Sequence, residues 1–410
     1  ITMQIDSGIK GSKYYNSRWE RYGSYYYYNQ LSSDQKKVYN MLNTQCLKLL
    51  TSSVTVENLL PKSMSGNGRS YYFLDPIDYG NLDISEKDAL TAFRFFRYSN
   101  PQYFFLSGAE LGFNGTGIFA VTIYDEFRTY SGRKAAIDAM NETIDAWDVL
   151  IDEQDTEEEK VRMIHDLICK RVDYNDSAVD NNYINDGNEY TQSMYSALGW
   201  SEKKTVCAGY SYAFQYLANK YGIDCVCVTS VSTDPATGEE YGGHQWNAVR
   251  VEDQWYMIDL TWDDDPMRDG SIPIAYYCYL RSLKKINALV EADENDENHH
   301  PESFYGKKLP SCVKDSAPTV YEPGEIFEPE SRVKAPVITV NSKNKKVSIK
   351  SKTKNVTIYY TTDGNAPSPA STKSKIYKSA FKVKKGQVIR TVAVRSGYYD
   401  SKITKKKVKF

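Results

Sequence analysis

Charge is divided very unevenly along this chain, and the division limits what it can fold into. Residues 334–410 hold 18 Lys and 2 Arg against 2 Asp, a balance of +18, whereas the whole 410-residue chain sums to −2, so the other 333 residues carry −20. A split this sharp points to separate modules with different surroundings. From residue 313 the composition shifts as well. DSAPTVYEPGEIFEPESRVKAP is rich in Pro and Glu and reads as a linker. Behind it, PVITV, KVSIK, VTIYYTTDG, AFKVKKG, VIRTVAVRSG and ITKKKVKF are short strand-like runs separated by turn residues, the spacing of a small β-sandwich.

The rest of the chain mixes helical and strand periods. LSSDQKKVYNMLNTQCLKLL (31–50) predicts an amphipathic helix capped near Ser32 or Ser33, with Val38, Leu42, Cys46 and Leu49 on its apolar face. Residues 85–106 predict a second helix stopped by Asn100-Pro101, with a strand at 103–106. Residues 117–126 alternate like a strand, and 132–151 return to helix. Residues 155–174 form the clearest helix: Thr156 and Glu159 make a capping-box pattern, and Val161, Ile164, Ile168 and Val172 form its buried stripe. His165, beside that stripe, reads as a core or surface histidine. After a polar loop (175–203), a helix spans 207–220 and ends at Tyr221-Gly222. Strands follow at 224–231, 244–251 and 254–262. The fold class is therefore α+β, with an N-terminal α+β region at 1–150, a second α+β domain at 151–312, a linker at 313–333 and a basic β-sandwich at 334–410. The 35 tyrosines, with a run at Tyr25–Tyr28, suit either a polymer-handling surface or packing at a domain edge.

No run approaches the length and apolarity of a membrane span. The start at Ile1, without a charged and apolar leader, leaves two locations: the cytosol, or the exterior after removal of a signal peptide. Seven thinly spread cysteines, no CxxC and four histidines argue against a Cys/His zinc site and against a disulfide scaffold.

Chemistry concentrates around KTVCAGYSYAFQYLANKYGI. Cys207 opens a helix beside Ala208 and Gly209, where nothing crowds it. Free N–H groups and the positive end of the helix dipole favour a thiolate there, and the same amides can face an oxyanion. A nucleophilic cysteine needs a base, and the base needs an orienting group. With Glu252-Asp253 as a two-residue turn, Val251 pairs with Gln254, His244 falls opposite Thr261, and Asp259 falls opposite Trp246. His244 and Asp259 are then diagonal neighbours on one face, ~7–8 Å apart at Cα and within reach of a hydrogen bond. A one-residue slip would put them on opposite faces.

VCAGYSYAFQYLANKYGI, GGHQWNAV and WYMIDLTWDD together resemble the transglutaminase-like superfamily of papain-type fold, with KVRMIHDLICKRVDYND as its entry helix; the resemblance covers about 155–282. It implies a nucleophile helix packed on an antiparallel sheet. It also implies Cys207 as nucleophile, His244 as general base and acid, and Asp259 as the residue that orients the imidazole. Trp246, Asn247, Trp262 and Asp263 match recurrent motif positions with structural roles. Nothing resembles the calcium-binding parts of the animal enzymes, so no cofactor or metal is expected. The C-terminal VTIYYTTDGNAPSPASTKSKIYKSAFKV, with its TTDG-x-x-P core, resembles the small β-sandwich appended to chitobiases and other bacterial surface proteins.

Those resemblances imply an extracellular or wall-associated bacterial protein catalysing cysteine-dependent acyl transfer on peptide or glutamine carboxamide substrates. An amine acceptor would make it a transglutaminase, and water a peptidase or deamidase. Expected partners are a protein or peptide substrate, wall peptide included, and an anionic wall polymer bound through 334–410. The alternative is a non-catalytic protein on the same scaffold that binds wall peptide or glycan. Nucleic-acid binding is not expected, because the lysines of the basic module scatter over several strands without a recognisable motif.

Overall fold

The structure is a computed structural model that describes residues 23–65, 68–113, 115–180, 188–233, 240–264, 274–291, 301, 306–315, 333–365, 367, 374–395 and 401–410. Residues 1–22, most of the linker and part of the TTDG-x-x-P stretch lie outside the described residues. The chain divides into two compact units: Ile1–Ile151 with Val161–Val320, and Asp152–Lys160 with Tyr321–Phe410.

In the first unit the helix Ser33–Thr51 starts from a capping box in which the Ser32 hydroxyl accepts the Gln35 N–H and the Gln35 side chain accepts the Ser32 N–H. The helix Glu86–Ser99 uses the same device through Ser85 and Asp88. Tyr39 and Phe96 meet edge-on between these helices at 5.0 Å, and Asn100 donates to the Tyr39 hydroxyl at 2.7 Å. The strand expected at 103–106 begins at Leu106 instead and runs Leu106–Phe113, after a turn through Pro101. It pairs antiparallel with Ile118–Ile123, the central strand of a five-stranded sheet. Helix Tyr130–Asp152 follows.

The sheet nearest the candidate site has three antiparallel strands in the order Gln254–Ile258, Glu240–Val251, Cys225–Thr233. Helix Cys207–Lys220 packs against it with eleven buried residues, from Ala208 to Ala218. Its end is a left-handed Gly222 at φ +77°, with the Ile223 N–H reaching back to the Ala218 carbonyl. Val161, Ile164, Ile168 and Val172 are all buried, as their spacing predicts, although the helix stops at Cys169. The 175–203 stretch is less of a loop than its polarity suggests. It contains helices Asp176–Asp180 and Met194–Leu198, the latter anchored by buried Met194, Ala197 and Leu198. The tyrosine run is packing: Tyr27 is fully buried, stands edge-on to Tyr26, and donates its hydroxyl to the Cys227 carbonyl at 2.7 Å.

The second unit contains two antiparallel sheets, one of Val337–Asn341, Lys346–Lys350 and Phe381–Lys382, the other of Lys375–Ile376, Thr357–Thr361, Val388–Val394 and Thr404–Lys407. Alternate residues of both, among them Val347, Ile349, Ile358 and Ile389, enclose one apolar core. The described lysines of residues 334–410 are all exposed, which is why so basic a stretch still folds as a small sandwich.

Candidate active site

Cys207 is the first residue of its helix, preceded by Val206 in extended conformation with no side-chain cap. The Gly209 and Tyr210 amides donate to the Val206 carbonyl at 2.8 and 3.1 Å, which leaves those of Cys207 and Ala208 without a carbonyl partner within the helix. Gly209 explains the small residues beside the thiol. A Cβ there would lie 1.9 Å from Thr205 Oγ1 and 2.7 Å from Ser196 Oγ. Those two hydroxyls are themselves 2.6 Å apart, and Thr205 also donates to the Thr191 carbonyl at 3.2 Å. The nucleophile turn thus rests directly on a buried polar knot.

Two bonds fix this helix to the strand bearing His244. The Ser211 hydroxyl donates to the Trp246 carbonyl at 3.1 Å, and Asn247 Nδ2 donates to the Ser211 carbonyl at 3.2 Å. His244 and Cys207 are set by the same rigid pair of elements. The Trp246 ring lies nearly parallel to the His244 imidazole, 5.7 Å away.

The hairpin turns at Glu252-Asp253, both residues at positive φ, and Val251 pairs with Gln254, the register that the residue pattern predicts. The ladder then departs from expectation. It ends at Ile258, paired with Asn247, and the strand does not reach Trp262. Asp259 caps a four-residue helix, Leu260–Asp263, with Oδ1 accepting the Thr261 N–H at 2.9 Å. His244 therefore has no cross-strand partner at Thr261. Asp259 Oδ2 still meets His244 Nε2, at 2.5 Å.

The Cys207 thiol is within hydrogen-bonding reach of the same imidazole. His244 is 8 % exposed and Asp259 1 %, whereas Cys207 is half-buried and opens to solvent. Burial opposes a charge on His244, but the Asp259 carboxylate and the Cys207 contact outweigh it, raising the imidazole to about 10. All seven cysteines are free, and the six others are buried. Burial pushes Cys46, Cys169 and Cys225 well up, and Cys227 and Cys312 to about 12.

Sequence reasoning did not find the contacts that hold these groups in place. Ser211, the Gly209 packing and the network around His165 belong to tertiary contacts that leave no periodic signal. Asn247 was visible only as a motif position. Its structural role is to bridge the Ser211 and Val226 carbonyls. Among the described residues, no group of three or more His, Cys, Asp or Glu side chains is arranged to hold a metal ion. Nor is any described helix long and apolar enough to cross a membrane.

Residues 146–260, which contain Cys207, His244 and Asp259, match the transglutaminase-like superfamily, a family of cysteine-type acyltransferases and peptidases. Residues 339–405 match the chitobiase/β-hexosaminidase C-terminal domain. The chain thus carries a transglutaminase-like domain followed by a chitobiase-type module, as the motifs imply. It is similar to the kyphoscoliosis peptidase of Homo sapiens, 26% identical over 144 residues covering 34% of this chain and 20% of that one. It is also similar to the kyphoscoliosis peptidase of Mus musculus, 30% identical over 118 residues covering 28% and 17%. The chain spans a fifth or less of these curated relatives. A crystal structure of a TGase is similar over 37% of this chain and 43% of its own, at 17% identity and a TM-score of 0.26.

Proposed function

We propose that the protein is a cysteine-dependent acyltransferase of the bacterial cell surface, acting on peptide or glutamine carboxamide groups through Cys207, His244 and Asp259. The observation that carries this reading is the imidazole of His244 engaged by both partners, by Asp259 at Nε2 and by the thiol of Cys207. The Cys207 thiolate attacks the carboxamide carbon, and the developing oxyanion faces the Cys207 and Ala208 amides at the start of the helix. His244, protonated at neutral pH, gives its proton to the departing amine as the C–N bond breaks, leaving a thioester. An amine or water then attacks the thioester, His244 takes a proton from it, and the thiolate leaves. Asp259 keeps the ring in the orientation that serves both steps. The two mammalian relatives are named peptidases, which favours water as the acceptor. The chitobiase-type module and its charge of +18 favour the cell surface, where wall peptides supply the amide substrate.

The decisive test is alkylation of the intact protein by iodoacetamide at neutral pH, read by peptide mapping. Cys207 is expected to react faster than every other cysteine, and more slowly in His244→Ala. Casein with a fluorescent primary alkylamine then separates the outcomes. Incorporated amine indicates transglutamination, new peptides indicate proteolysis, and ammonia with neither indicates deamidation; each should vanish in Cys207→Ala. Equal labelling of all seven cysteines would end this reading.

A further inference from the structure

Behind the Asp259-capped helix lies a second, wholly buried histidine that the acyl-transfer steps leave unused. His165 Nδ1 is 3.0 Å from Asp166 Oδ1, and Nε2 is 3.2 Å from Asp263 Oδ2; the ring has no exposure. A neutral imidazole has one N–H and can donate to one carboxylate. Only the imidazolium donates to both. Burial opposes that charge, but the bonds and charges of the two aspartates prevail and raise His165 to about 9. The surroundings are built to hold it. Tyr276 stacks on the ring at 5.2 Å and donates its hydroxyl to Asp166 Oδ1 at 2.7 Å, although its own backbone sits at φ +56°, a conformation strained for an aromatic residue. Tyr279 stands edge-on to the ring, and the Arg162 guanidinium lies over Tyr276.

Asp263 connects this cluster to Asp259. Its Oδ1 accepts the Cys278 N–H at 2.7 Å, and its own N–H donates to the Asp259 carbonyl at 3.2 Å. The Asp259 N–H in turn donates to the Cys278 carbonyl at 3.2 Å. Both ends of the short helix therefore grip one residue, and His165 secures the end opposite Asp259. We propose that His165, as an imidazolium shared by Asp166 and Asp263, is a positioning residue that fixes the Asp259-capped helix and thereby the bond between Asp259 and His244. This inference rests on the triad reading above.

Two substitutions divide the imidazolium into its halves. The amide nitrogen of His165→Gln falls near the place of Nε2 and keeps the Asp263 link. That of His165→Asn falls near Nδ1 and keeps only the Asp166 link. Both lose the same charge. The readouts are the iodoacetamide rate at Cys207 in the full chain, the low-field imidazole proton of the His244–Asp259 bond by NMR, and thermal unfolding. His165→Asn is expected to slow alkylation at pH 7 by about tenfold or more, the effect of one pKa unit, and to broaden the low-field proton. His165→Gln should stay near the wild-type rate at a similar loss of stability. A purely structural role would move rate and stability together in both variants, and that result overturns the proposal. So does a wild-type rate with an unchanged low-field proton in His165→Asn. Should neither variant fold, Asp263→Asn removes the carboxylate but keeps an oxygen for Cys278; a wild-type rate there also overturns the proposal. His244→Ala distinguishes the two levels. If it alkylates like wild type, the triad reading falls and takes this inference with it. If it is slow while His165→Asn is not, this inference falls alone.

Discussion

Asp259 divides its carboxylate between two tasks: Oδ2 meets His244 Nε2 at 2.5 Å, and Oδ1 accepts the Thr261 N–H at 2.9 Å. One side chain both orients the imidazole and caps a helix, and two substitutions separate these roles. Asp259→Asn keeps an oxygen for the cap but removes the charge that holds His244 protonated. Turnover in the casein assay is expected to fall roughly a thousandfold to ten-thousandfold, by analogy with hydrolase triads, with the fold intact and the melting temperature lowered by the His244 contribution that the charge supplied. Asp259→Ala loses the cap as well and should be less stable by about a further 1 kcal/mol. An Asn variant with full turnover would remove Asp259 from the triad.

Gly209 is held to its identity by contact. The nearest atoms to a Cβ at that position are Thr205 Oγ1 at 1.9 Å, Ser196 Oγ at 2.7 Å and the Thr191 carbonyl at 2.8 Å. The carbonyl belongs to the backbone, so the clash cannot be relieved by rotating the hydroxyls alone. Gly209→Ala should displace the first turn of the helix, lower the urea midpoint by an amount equivalent to about 1–3 kcal/mol, and slow alkylation of Cys207. An alanine variant with wild-type midpoint and rate would show that the turn adapts freely.

The two buried histidines make the first unit sensitive to base. His165 is raised from 6.5 to about 9 and His244 to about 10. A group whose folded pKa lies above its unfolded value stabilises fully below the unfolded value and loses that contribution as pH rises through the folded one. Stability should therefore fall between about pH 6.5 and 10, with about 3 kcal/mol attached to His165. All six tryptophans lie at or before residue 262, so their fluorescence reports the first unit by itself. Chemical denaturation followed by that signal should show the decline, and His165→Gln should flatten its lower part. A pH-independent midpoint across this window would contradict the assignment of charged imidazoles.

The basic module carries its own apolar core, so residues 333–410 provide a test fragment. Many weak lysine contacts, each screened within ~8 Å at physiological salt, should hold it on purified Gram-positive wall, where the anionic polymers are teichoic acids. Pull-down is expected to be strong at low salt and to collapse by about 0.5 M. The acidic remainder of the chain should bind poorly throughout. A module that stays in the supernatant at low salt is a spacer.

What could be read from the sequence follows how local each determinant is. The Cys207 helix start, its Gly222 end and the Glu252-Asp253 turn are set by neighbouring residues, and so is the hairpin register from Val251–Gln254 to Asn247–Ile258; Asp259 meets His244 from the cap beyond that ladder. The end of the strand at Ile258 was not legible, because alternation continues through LTW while an aspartate cap competes with the ladder, and the cap prevails once Cys278 and His165 grip the helix. His165 looked like an ordinary core histidine for the same reason: its partners Asp263 and Tyr276 are 98 and 111 positions away by number. Two of the packing partners of Gly209, Thr191 and Ser196, likewise come from a stretch that composition alone marks as loop.

The hydroxyl of Tyr27 and the carbonyl of Cys227 join positions 200 apart in the chain. Gln215 reaches the Tyr98 carbonyl across 117 positions, and Phe127 meets Tyr195 edge-on at 5.2 Å. Synthesis at about 5–20 residues per second leaves Tyr27 waiting roughly 10–40 s for its acceptor to emerge. Throughout that interval the helix Glu86–Ser99 lacks the strand Cys225–Thr233 that packs against it. The first unit therefore cannot complete these contacts on the ribosome until the strand of Cys227 has been made.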